Sequence, residues 1–179
     1  MNLKSVAWGN IAVRNKARTL LEKSNALADG PVRMTRVLEI INLSYSEFNP
    51  DRETQSILGA ISHSDGCIYI NADEPAERKH MILSHEIGHA LLHPAENHID
   101  FKSATQEHLD DDEKLKEREA NVFAYELALP YPEFAIIYKL YGGDEVKIAE
   151  HFLVSVVDVK KRIKFLQGQI DSKIIENFL

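Results

Sequence analysis

Two histidines four residues apart, with a glutamate between them, are the side chains best suited to chemistry in this chain: His85-Glu86-Ile87-Gly88-His89. On a helix, positions i and i+4 differ by about 6 Å of rise and about 40° of rotation, so both imidazoles reach one ion from the same face. Glu86 stands about 100° round from His85, beside such an ion rather than on it. Two neutral nitrogen ligands and a carboxylate that can accept a proton from water are the parts of a metal-dependent hydrolase. The competing reading is an accidental match on a core helix. Its surroundings argue against accident, because Ile82, Leu83, Ala90, Leu91 and Leu92 enclose the motif and buried imidazoles require partners. Gly88 costs about 1 kcal/mol against alanine in a helix interior, which points to close packing at that position.

A hydrolytic zinc site takes three protein ligands and keeps a fourth position open. Downstream, Glu117-Arg118-Glu119-Ala120-Asn121-Val122-Phe123-Ala124 offers two acids for the third place. Helical geometry puts Glu117 and Asn121 on one face and turns Glu119 nearly opposite. An amide one turn beyond a ligand can hydrogen-bond a ligating side chain. The run Asp110-Asp111-Asp112-Glu113 reads instead as the exposed start of the same helix. His93 continues the ladder, but about 12 Å of rise from His85 is too far to share an ion with both histidines. It reads as cleft lining or a helix end, while His80, His98 and His108 are near the motif in sequence only. Tyr125 and Tyr131 are candidates to donate to an oxyanion, although tyrosines so placed are more often core residues with a satisfied hydroxyl. Cys67 is the single cysteine; it excludes an internal disulfide and reads as a small core residue.

These side chains need a scaffold, and the pattern along the chain supplies one. An amphipathic helix is predicted over 10–29, stopped by Gly30-Pro31, and a second over 32–42. Residues 43–48 alternate and end at the turn signal Asn49-Pro50. Strands are predicted at 56–62 and 67–71, joined through Ser64-Asp65-Gly66. Asp73-Glu74-Pro75 opens the motif helix, 76–92, and Pro94 closes it. Residues 95–112 are polar and show no periodicity, and a further helix follows over 113–129. Short helices at 132–140, 144–152 and 155–167 complete the order, with Gly142-Gly143 as a break. Helices, a small antiparallel sheet and then helices make the class α+β.

Composition sets the remaining bounds. The 179 residues are 44% hydrophobic and 27% charged, enough for a core and too apolar for a disordered tail. The net charge of −7 has the wrong sign for a protein that coats phosphates. No apolar run approaches the roughly 18 residues of a membrane span, and no signal-peptide core follows Met1. A soluble cytoplasmic protein is expected. Residues 144–164 have helix-turn-helix character, yet they carry five basic residues against four acidic ones, a feeble balance for binding DNA. Packing or partner docking is the favoured role.

The pairing of His85-Glu86-Ile87-Gly88-His89-Ala90-Leu91-Leu92-His93 with the Glu117–Ala124 block and the closing Leu127-Ala128-Leu129-Pro130 resembles the ImmA/IrrE family of metallopeptidases, found largely in bacteria and their mobile elements. The predicted strand at 67–71 and Arg78 also sit where that family has a strand and a basic residue. Ala128 and Leu129 depart from its usual leucine and methionine, which concerns packing and not chemistry. The resemblance implies a zincin-like core over 1–130, with a helix-turn-helix-like extension over 131–179 packed on it. It implies one Zn2+ held by His85, His89 and Glu117, with Glu86 as general base. It implies a narrow substrate, a helix-turn-helix repressor whose cleavage releases silenced genes; from the apolar runs and the charge balance above, no membrane partner and no direct nucleic-acid binding are expected. Two other classes compete: a DNA-binding regulator that uses 144–164 around a structural metal, and an interaction module, such as a toxin–antitoxin component, with a vestigial site. The first needs salt-sensitive DNA affinity; the second needs a missing catalytic residue, and none is missing.

Overall fold

The structure is a computed structural model that describes residues 3–94, 98–101 and 110–169. Helices α1 (Leu3–Ser24) and α2 (Met34–Ile41) precede three strands, β1 (Ser44–Phe48), β2 (Ile57–Ser62) and β3 (Cys67–Asn71). There follow α3 (Ala76–Leu92), a short β4 (His98–Phe101), α4 (Asp111–Ala128), α5 (Glu133–Leu140), α6 (Glu145–Phe152) and α7 (Val156–Gln169). The class is α+β, as expected.

The two long helices that carry the motif blocks start where local chemistry starts them. Pro75 holds φ −65° and ψ 157° at the N-cap of α3, and Glu77 in the first turn complements the helix dipole. At the head of α4, the Asp110 carboxylate accepts from the backbone N–H groups of Asp112 and Glu113, each at 2.9 Å. Glu113 returns the bond by accepting from the Asp110 N–H at 3.0 Å. This reciprocal cap satisfies donors that a bare helix end leaves open. The acidic run is a helix start.

The sheet differs from expectation. Its order is β1-β3-β2-β4, with β2 antiparallel to both β3 and β4 but β1 parallel to β3. The sheet is therefore mixed and not purely antiparallel. The reason is connectivity: the chain passes through β2 before β3 lies beside β1, so β3 runs in the same direction as β1. β4 falls inside the stretch that shows no periodicity, since four residues are too few to display one. The first helix begins at Leu3, and it ends when Asn25 takes a left-handed φ of 48°.

Leu58, Ile61, Ile68 and Ile70 from the sheet join Ile82, Leu83 and Ile87 of α3 in one apolar core. That core continues from Val13 in α1 to Leu166 in α7. Helix α3 packs most extensively on α4, and α4 on α1. Helix α7 is pinned to α4 by two adjacent residues. The Tyr125 hydroxyl donates to Asp158 at 2.9 Å, and Arg162 donates to Glu126 at 2.9 Å. Glu126 and Arg162 are both fully buried, and Arg14 and Arg18 of α1 add bonds to the same carboxylate at 3.1 and 2.6 Å. Burial alone would push the Glu126 carboxyl up; Arg162, Arg14 and Arg18 outweigh it and hold the group below its ordinary range. One carboxylate thus ties three helices together. No helix among the described residues is long and apolar enough to cross a membrane.

Candidate metal centre

His85 and His89 project from α3 one turn apart, and their Nε2 atoms stand 3.0 Å from each other. Glu117 reaches them from α4, with Oε2 3.5 Å from His85 Nε2 and Oε1 3.2 Å from His89 Nε2. The three donor atoms form one compact cluster, all within 4.8 Å of one another. Both histidines are buried, and Glu117 is half-buried.

The approach of the two helices makes this possible, and Gly88 permits the approach. A β-carbon on Gly88 would lie 3.1 Å from the Ala120 Cα and carbonyl oxygen and 3.3 Å from the Phe123 β-carbon. Any larger residue would wedge α4 away and withdraw Glu117. The close packing expected from the glycine is present.

The donor set fits a divalent metal ion. Two neutral imidazoles and one carboxylate offer nitrogen and oxygen donors with a single negative charge. Tetrahedral zinc with bonds of about 2.0–2.1 Å sets neighbouring ligand atoms about 3.3 Å apart. The observed separations of 3.0, 3.2 and 3.5 Å bracket that spacing.

Glu86 is fully buried next to the cluster, under strand β2. A β-carbon on Gly59 of β2 would stand 3.2 Å from Glu86 Oε1 and 2.6 Å from the Ile82 Cγ2 atom. Gly59 leaves the space that this carboxylate occupies. A glycine inside a strand signals close approach by another group, and that signal was available in the sequence.

The other candidates separate clearly. Glu119 points away from the cluster and toward His93, 3.8 Å from its Nε2. His93 is the C-cap of α3, one of the two roles expected for it. Asn121 shares the Glu117 face, but its amide donates 2.8 Å to the Glu117 backbone carbonyl and not to a ligating side chain. The Tyr125 hydroxyl is engaged with Asp158; burial first, and then Asp158, pushes this phenol well up. Tyr131 packs against the core near Arg18, 5.9 Å from the guanidinium carbon to the ring centre. Cys67 is buried and free. His80 is buried on α3 apart from the cluster, and desolvation pushes it down to about 4. The side chains of His98 and His108 lie outside the described residues.

A cleft of about 550 Å³ opens onto His85 and Glu117. One wall comes from α3 through Arg78 and Met81, and the other from the start of α7 through Ser155, Asp158 and Lys161. Ser155 donates to Asp158 at 2.6 Å, so Asp158 is held from both sides. The involvement of α7 in this cleft was not legible in the sequence, because it rests on contacts 33 and 36 residues apart.

No curated protein matches this sequence. Among solved structures, a Mycobacterium tuberculosis transcriptional regulator is similar, with a TM-score of 0.59 at 16% identity, over 83% of this chain and 44% of that one. At that identity the likeness is one of fold, and this chain spans less than half the length of the regulator. The sequence itself matches the peptidase M78 family, described as the IrrE N-terminal-like domain, over residues 39–164. That span is well over half of the chain and includes both helices that form the cluster, and the chain therefore belongs to this family of metallopeptidase-like domains.

Proposed function

We propose that the chain is a zinc-dependent endopeptidase that cleaves a helix-turn-helix transcriptional repressor and so releases the genes it silences. The observation that carries the reading is the His85, His89 and Glu117 triangle, with Glu86 buried beside it. In this proposal the three residues of the triangle hold the ion and Glu86 is the general base. A zinc ion bound there supplies Lewis-acid polarisation of a scissile carbonyl and a more acidic water. Glu86 takes the proton of the attacking water on its carboxylate and passes it to the departing amine. Arg78 and the α7 wall orient the peptide across the cleft.

Family membership supports a protein substrate. The regulatory setting is supported by the similar fold of a transcriptional regulator and by the resemblance of the two motif blocks. The DNA-binding alternative is disfavoured by the fastening of α7 to α4 through Asp158 and Arg162, which commits part of that helix to the cleft. The test is co-expression with a small helix-turn-helix repressor encoded beside this chain, with fragments identified by mass spectrometry. A defined cut that disappears under chelation supports the reading. An intact repressor after prolonged incubation with metal-loaded protein contradicts it.

A further inference from the structure

A second pocket, about 380 Å³, adjoins the cleft and shares Asn121, Tyr125 and Lys161 with it. Its charged lining is Lys114, Arg118 and Lys161, with no acidic side chain among its lining residues. In a chain of net charge −7 this is a local reversal of sign. None of the three forms an ion pair with another described residue, although other surface lysines do, such as Lys116 with Asp112 and Lys160 with Glu145.

The placement is dictated by the same two helices that build the centre. Lys114, Arg118 and Val122 repeat every four residues along α4, one row round from Glu117. Lys161 and Phe165 face them from α7 with the same spacing, and α7 is held in place by the bonds from Asp158 and Arg162. Val122 is buried and Phe165 half-buried, so the basic groups surround an apolar floor. The pocket floor at Val122 and Tyr125 lies about 8–12 Å from Glu117 along the helix axis, roughly two to four residues of extended peptide. A side chain seated on that floor is within reach of the long Lys114, Arg118 and Lys161 side chains that line the same pocket.

We infer that Lys114, Arg118 and Lys161 form a carboxylate-binding subsite, which selects peptides carrying an aspartate or glutamate two to four residues from the cleaved bond. The inference rests on the endopeptidase reading for its cleavage consequence, but the subsite itself is a binding claim. Lysine and arginine offer charge-assisted hydrogen bonds to a carboxylate. The apolar floor takes the methylene groups of that acidic side chain or its neighbour.

The test has two arms. In the first, the metal-loaded chain digests a mixed peptide library, and mass spectrometry reads the residues around each cut. Enrichment of acidic residues at one position two to four residues from the bond is expected. It should be lost in Arg118→Ala/Lys161→Ala and inverted toward lysine and arginine in Arg118→Glu/Lys161→Glu, with circular dichroism confirming that each variant folds. In the second, Glu86→Gln binds two fluorescent decapeptides that differ only by glutamate against glutamine. The glutamate peptide should bind about tenfold more tightly at low salt, and the preference should shrink as salt rises. Cutting without acidic preference overturns the subsite and leaves the peptidase standing. Preferential binding with no cutting of any peptide supports the subsite and overturns the peptidase. No preference in either arm, or a response to Arg118→Ala/Lys161→Ala confined to a short DNA duplex, overturns the subsite.

Discussion

Gly88 of α3 and Ala120 of α4 lie so close that a β-carbon on the glycine would approach the Ala120 backbone to 3.1 Å. The contact sits one turn from both Glu117 and His85, so it sets the distance across the His85, His89 and Glu117 cluster. Gly88→Ala gains about 1 kcal/mol of helix propensity but forces the α4 backbone to retreat by a few tenths of an ångström. The variant is expected to fold and to bind divalent metal more weakly, by about tenfold or more, within the range for displaced supporting residues. Titration with zinc against a competing chelator measures this. Unchanged affinity would show that the helix spacing has slack.

Glu117 and Glu119 are two residues apart and face different histidines. Glu117 faces His85 and His89, while Glu119 faces His93. Glu117→Ala should strip the metal during dialysis; Glu119→Ala and His93→Ala should keep close to one ion per chain. Elemental analysis of the dialysed proteins decides it. Loss of metal that follows Glu119 would overturn the ligand set.

The buried Glu126 makes a prediction about acid stability. Its carboxyl is lower in the folded chain than in the unfolded one, because the surrounding guanidinium groups outweigh the effect of burial. The unfolded state therefore takes up the proton first as pH falls. The stability this group contributes is complete above about pH 4.3 and is lost as pH drops through the folded value. Glu126→Gln leaves Arg162 buried without its counter-charge, and should cost about 3–5 kcal/mol at neutral pH. Urea unfolding at a series of pH values checks both points. The variant should be less stable at pH 7 and show a shallower acid limb; equal stability at pH 7 would contradict the account.

What was legible in the sequence is what depends on local spacing. The motif helix runs from Ala76 to Leu92 as predicted, because Pro75 and Pro94 punctuate it and its apolar residues recur at helical intervals. Helical phase set Glu117 and Glu119 on opposite faces, and the resemblance of the motif blocks implied Glu117 as the one beside the histidines. Helix α1 starts at Leu3, ahead of the predicted residue 10; Gly9, a poor helix interior residue, breaks the sequence pattern before Asn10. The parallel pairing of β1 with β3 was not legible, since alternation along a strand records which face is buried and not the direction of its neighbour. Gly59 within a strand signals a close approach, but the group it admits, Glu86, and the hold of Tyr125 on Asp158 join residues far apart in the chain. Such contacts appear only once the helices and sheet are packed.

Glu86 tests the central claim most directly. In the proposed reaction its carboxylate moves the proton, and it is not one of the three donors in the cluster. Glu86→Gln should keep the fold and close to one zinc per chain. Proton transfer by a positioned side chain is worth roughly 10²–10⁴-fold in rate, so cleavage of the repressor should fall to background. Purified Glu86→Gln incubated with the repressor should retain it as an uncut complex, seen as co-elution without fragments, while the wild type releases two fragments. If the wild type and Glu86→Gln cut at the same rate, Glu86 is not the base. If neither cuts and both relieve repression equally, the chain acts by binding and the endopeptidase account fails.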